Sequence, residues 1–152
     1  MIHRQTFYQN YEHFWALPRP EKDEGDGALV ALIFAMLAMG TQFITSNSTK
    51  QTAEFYVSAA HQALRMSSYL NKTSIRSIQS MVLITYFLIN DNHASDGWAF
   101  AGILIRQAYA MGLHRDPNIV VPNASHFDKQ QRRKLWQAVL LQDTFLTVLL
   151  SL

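Results

Sequence analysis

Cysteine is absent from all 152 residues, which excludes disulfides, thiolate zinc sites and cysteine nucleophiles together and fits a reducing compartment. Charge is scarce: Asp, Glu, Lys and Arg make up 16%, with 13 basic against 11 acidic residues and a formal charge of +2. So weak a field does not imply direct nucleic-acid binding. Long hydrophobic runs are missing too, the nearest reaching only from Ala28 to Gly40. A membrane span needs roughly 18 or more such residues, so a buried core helix is expected there, and no membrane partner. Met1 to Asn10 lacks the apolar h-region of a secretory signal. No Gly-x-Ser-x-Gly elbow and no phosphate-cradling glycine loop occurs. Nor does any convincing stretch of alternating polarity, so a sheet is not expected.

What is present is 49% hydrophobic residue content, enough to exclude general disorder, in a chain long enough to bury roughly two-thirds of its unfolded surface as one domain over 1–152. The apolar residues recur at helical spacing, and about six helices in an all-α array are predicted. Thr6 to Trp15 forms the first, stopped by Pro18 and Pro20 and followed by a linker from Glu21 to Gly27. The second, Ala28 to Ile44, is apolar on nearly every side and is expected to sit centrally. After a linker from Thr45 to Lys50, the third runs from Thr52 to Leu70 with Tyr56, Ala59, Ala60, Ala63, Met66 and Leu70 inward. Thr73 or Ser74 caps the fourth, which carries Ile75, Ile78, Val82, Thr85 and Ile89. Ser95 caps the fifth, with Trp98, Ile105, Ala108 and Tyr109 inward, Gly112 as its left-handed terminator and Pro117 beyond. After a loop from Asn118 to Ala124, Ser125 and Asp128 resemble a capping box. They open a sixth helix, about His126 to Leu150, whose apolar stripe includes Leu135, Trp136, Val139, Leu140 and Leu146.

Residues able to carry chemistry are few. The six histidines, His3, His13, His61, His93, His114 and His126, fall on separate elements without the i, i+4 pairing and glutamate of a zincin. No metal, cofactor or catalytic residue is assigned to them. Arg132, Arg133 and Lys134 form a basic triplet shorter than recognised nucleic-acid patches, and read as a solvated helical turn. Asp143 falls on an apolar stripe and needs a partner if buried. Arg106, in an apolar part of the fifth helix, can offer a bidentate fork, so an Arg106–Asp143 pair is expected, against the alternative that both face solvent. Gln42 and Gln79 are expected to be buried, bonded to backbone or pointing into a ligand cavity.

Several of these residues occur in a distinctive order. Gln79 and the apolar run after it, Gly97-Trp98, Gly102, Ile105-Arg106-Gln107-Ala108 and Met111-Gly112-Leu113-His114-Arg115-Asp116 precede Arg132-Arg133-Lys134-Leu135-Trp136 and Asp143. This order resembles the middle homology region, the fungal-specific transcription factor domain, of binuclear zinc-cluster transcription factors. Ile2-His3-Arg4-Gln5-Thr6-Phe7 is similar to the family's opening segment, with Gln5 where proline is common. Gln137 stands where a second aromatic often follows the tryptophan. The chain stops before the family's Gly-Arg-Pro turn, as a truncated domain would.

The resemblance implies a regulatory domain of a nuclear factor controlling DNA-templated transcription. Zinc and DNA would be bound only by an N-terminal cluster outside this chain, with no cofactor here. It further implies control by a small apolar effector, a coactivator or self-association. The alternative is a helical protein–protein interaction scaffold without ligand or catalytic activity. Either way, helices four to six are expected to lock together around Trp98, Gly102 and Trp136.

Overall fold

The structure is a computed structural model that describes residues 1–16, 26–44 and 47–151. Among them are seven helices and no strand: α1 (Arg4–Ala16), α2 (Gly27–Gln42), α3 (Asn47–Met66), α4 (Ile75–Asn90), α5 (Ala94–Ala110), α6 (Pro117–Val120) and α7 (His126–Leu149). The predicted stop at Pro18 and Pro20 and most of the Glu21 to Gly27 linker lie outside the described residues. The extra helix is α6, a single turn inside the predicted loop. It starts at Pro117 because proline suits a first helical position and the Asp116 side chain accepts from Asn118 N.

The centre of the array is α4, not α2 as expected. Helix α4 packs on α2, α3, α5 and α7 and buries residues on every side, among them Ile78, Met81, Val82, Ile84 and Phe87. Its start is fixed by a reciprocal box in which Ser74 Oγ accepts from Ser77 N at 3.1 Å and Ser77 Oγ accepts from Ser74 N at 2.9 Å. Helix α2 is apolar all round but turns only one face inward, built mainly of Ala31, Leu32, Ala35 and Ala38, and leaves Leu37 exposed, as are Phe43 and Ile44 just past its end. That alanine face lets α2 and α3 approach closely, and theirs is the most extensive helix contact. At the start of α2 the approach is tight, since a Cβ on Gly27 would fall 2.8 Å from Cβ of Ser67, just past the end of α3.

Helices α3 and α5 differ in phase and start from the sequence reading. Helix α3 begins at Asn47, within the predicted linker, and faces inward through Ala53, Val57, Ala60 and Leu64, with Met66 and Leu70 exposed. On α5 the inward residues are Gly97, Ala101, Leu104, Gln107 and Ala108, whereas Trp98 is 46% exposed and Tyr109 is also exposed. Ser95 does not cap α5. The short 91–93 connection puts His93 at the cap position, where its N–H closes the end of α4 by donating to Leu88 O at 2.8 Å. The end of α5 is a Schellman turn: Leu113 N donates to Ala108 O at 3.0 Å and Gly112 N to Tyr109 O at 2.9 Å, with Gly112 at φ 70. A side chain at 112 would be strained there and would meet Val120 Cγ1 at 3.2 Å. Helix α7 starts at the Ser125 cap, whose Oγ accepts from Asp128 N at 3.1 Å. It buries Leu135, Val139, Gln142 and Leu146.

Candidate functional site

Four glutamines supply polar links from helices to neighbouring segments. Each uses its Nε2 to donate to a main-chain carbonyl of another segment: Gln42 to Phe87 O at 3.0 Å, Gln79 to Met1 O at 3.0 Å, Gln107 to Tyr69 O at 3.1 Å and Gln142 to Val82 O at 3.0 Å. Gln42 Oε1 also accepts from Asn90 Nδ2 at 3.3 Å. The Oε1 atoms of Gln107 and Gln142 are fully enclosed without a protein partner, a net weakness of these seams because an unmet buried acceptor costs about 1–3 kcal/mol. Gln107 and Gln142 were not singled out from the sequence. For Gln142 the signal was present, since it lies seven residues after Leu135 and four before Leu146.

Asp143, chosen instead, lies one residue and so about 100° off that seam. It is half-buried, Arg106 is exposed, and no ion pair joins them among the described residues. The expected pair is corrected accordingly: each residue sits beside, not on, the buried stripe of its helix. Two members of the basic triplet are also more than solvated charge. Arg132 donates to Met111 O, and Arg133 reaches Asp116 Oδ1 at 3.4 Å, so both tie α7 to the corner after α5. Lys134 is exposed.

At that corner Tyr109, His114 and Trp136 form a triangle of rings, with centroids 4.8 Å apart for Tyr109 and His114, 5.6 Å for Tyr109 and Trp136, and 6.0 Å for His114 and Trp136. Gly112, which makes the turn, places His114 there. Trp98 and Gly102 do not join it. They lie on the outer side of α5, where a Cβ added to Gly102 would meet nothing within 4 Å. An open apolar strip continues on α7 through Leu141, Phe145, Val148 and Leu149, all exposed.

Among the described residues no three metal-ligating side chains converge, and no helix is long and apolar enough to cross a membrane. The pKa of His61 is pushed below its usual value first by burial and then by the Arg65 charge. Its ring meets Phe100 edge-on at 5.2 Å, joining α3 to α5. Because the folded protein resists protonating His61 more than the unfolded chain does, stability should fall as pH drops below about 6.5. His61→Phe should flatten that part of a melting-temperature profile between pH 7.5 and 5.5. An unchanged profile would mean that His61 is not the titrating group.

A cleft lies beneath α1. Phe7 and Asn10 of α1 cover it, Leu29 and Leu32 of α2 and Ile75 and Gln79 of α4 lie below, and Phe127 of α7 forms a side. Its volume is about 180 Å³. His3 stacks edge-on against Phe127 at 4.8 Å and its Nδ1 bonds Thr6 Oγ1 at 2.8 Å, which anchors the start of α1. Phe14 is the single buried residue of α1, and among the described residues α1 takes part in none of the extended helix contacts.

This is an all-helical array around an apolar core, crossed by glutamine amides bonded to main-chain carbonyls. Its whole length, residues 1–152, matches the fungal specific transcription factor domain. The chain is 29% identical over 94% of its length to the Zn(2)-C6 fungal-type transcription factor mpsB of Macrophomina phaseolina, covering 20% of that protein. It is 27% identical over 94% of its length to the Zn(2)-C6 fungal-type transcription factor pigI of Monascus ruber, covering 18%, and 28% identical over 92% to the transcription factor opdR of Penicillium oxalicum, covering 18%. It thus spans about a fifth of these relatives. No solved structure matches. The chain belongs to the fungal specific transcription factor domain family.

Proposed function

We propose that this chain is the regulatory domain of a nuclear zinc-cluster transcription factor, restraining transcription until an apolar effector or a partner protein shifts its helix packing. It carries no catalysis of its own. DNA contact and zinc belong to a cluster domain outside these residues. The observation that carries the reading is the match along the full chain to a transcription factor domain. The glutamine seams support its mechanism. Each seam adds one amide bond to its apolar packing, two of the amides have an unmet oxygen, and a ligand that prefers a second packing of these helices would bias the pair.

Placing the chain between an unrelated bacterial DNA-binding domain and an acidic activation segment tests this. Reporter output should drop severalfold against a flexible linker of similar length at equal protein level, and loosening the α4–α7 seam with Gln142→Ala should restore it. Output equal to the linker control sinks the reading. The exposed strip on α7 favours a second reading, an interaction scaffold. Concentration-dependent light scattering, abolished by Phe145→Glu and unaccompanied by reporter restraint, decides for that one.

A further inference from the structure

The cleft under α1 draws its walls from four separate helices, and its lining is chemically selective. Leu29, Leu32 and Ile75 give an apolar floor flanked by the rings of Phe7 and Phe127. At about 180 Å³ it is close to the roughly 150 Å³ that admits a benzene-sized ring, so one substituted ring fits.

A single buried amide faces this lining. Gln79 is only 3% exposed and its Nε2 is committed to Met1 O at 3.0 Å. Its Oε1 accepts no hydrogen bond among the described residues, yet it is not among the fully enclosed acceptors. Gln79 lines the cleft, and the bond on the other side of the amide holds that oxygen in place as an available acceptor. At the rim Arg76 is paired with Asp26, and Asp128 stands nearby. An anionic ligand would find the guanidinium engaged and a carboxylate facing it, so a neutral one is favoured.

We infer that this cleft binds a small neutral molecule consisting of one apolar ring with a hydrogen-bond donor, the donor meeting Gln79 Oε1 and the ring lying between Phe7 and the Leu29, Leu32 and Ile75 floor. Helix α1 is its cover. With Phe14 as its only buried residue, α1 gains added hold on the array from a molecule filling the space beneath it, which couples occupancy to the position of α1. The inference rests on the regulatory reading for its biological role, and its test does not use the reporter.

The test titrates 4-ethylphenol, and 4-ethylanisole as its donor-free counterpart, into the isotope-labelled chain and follows chemical shifts. Saturable shifts should gather at Phe7, Ile75, Gln79 and Phe127, and the anisole should bind about tenfold more weakly, as loss of one hydrogen bond predicts. Asn10→Phe fills the cleft from the α1 side without altering a core residue; it should keep the helical spectrum and lose binding. Shifts that do not saturate, or that gather elsewhere, overturn the inference, and so does undiminished binding by folded Asn10→Phe. Reporter restraint without binding would remove this inference and leave the regulatory reading, and binding without restraint would do the reverse.

Discussion

Leu135→Ala should lower the free energy of unfolding by about 3–4 kcal/mol, within the range for deleting a fully enclosed leucine. Leu135 has no exposed surface and belongs to the same cluster as Ile78, Met81, Val82, Leu104 and Val139. It joins α7 to a core shared with α4 and α5, two helices that also pack on each other. Neither can move into the vacated space without opening its other contacts, so the cavity stays largely unfilled and the cost lies above the low end of the range. Domains of this size unfold with about 5–15 kcal/mol in hand, and the melting temperature should drop by about 10 °C. Urea unfolding followed by circular dichroism reads the change, with Leu141→Ala as the control. Leu141 is on the same helix but 66% exposed, so its loss should stay within about 0.5 kcal/mol. Equal effects for both variants would mean that α7 does not dock through the Leu135, Val139 and Leu146 face.

The helices themselves were legible because apolar spacing, the Ser74 and Ser125 caps and Gly112 are local signals. Their phases were less so, for a reason visible at particular positions. Ranking side chains by bulk favours Trp98 and Tyr109 on α5, and Met66 on α3. The faces that actually turn inward are made of Gly97, Ala101, Leu104, Gln107 and Ala108 on α5, and of Ala53, Val57, Ala60 and Leu64 on α3, with Ala60 and Ala108 inward as expected. Close helix approach selects small residues at the contact and leaves large ones at the edge, so the bulkiest stripe sits about one residue, or 100°, away from the buried one. The same one-residue displacement separates Asp143 from Gln142. Formal charge drew notice to the carboxylate, while the neutral amide with matching heptad spacing held the seam. The cleft was illegible for another reason, since Phe7, Leu32, Ile75 and Phe127 meet only once four helices are packed.

Gln142→Glu turns that seam into a pH-dependent one. Gln142 is 1% exposed, and its Nε2 donates to Val82 O at 3.0 Å. A protonated carboxyl of nearly the same shape keeps the bond by donating its own O–H to that carbonyl. An ionised one has no donor, sets negative charge against the carbonyl oxygen and loses its hydration, and such burial raises carboxyl pKa values by up to about 3–5 units. In the unfolded chain the new carboxyl titrates near its ordinary value of about 4.3. At or below that pH both states hold the proton and the variant should nearly match the wild type. Above it the unfolded chain releases the proton while the folded one retains it, so stability falls by about 1.4 kcal/mol per pH unit until the raised folded pKa is reached. By pH 7 the deficit should be about 3–4 kcal/mol, read as the difference between variant and wild-type urea curves across pH 4–8, which cancels titrations common to both. Gln142→Met keeps the volume and drops both polar atoms, including the oxygen that has no protein partner, and should stay within about 1 kcal/mol of wild type at every pH. If the Gln142→Glu deficit does not vary with pH, the side chain at 142 reaches water and α7 is not seated on α4 through this amide. If Gln142→Met is as damaging at pH 7 as the carboxylate, the bond to Val82 O, rather than the enclosed volume, is what holds the two helices in register.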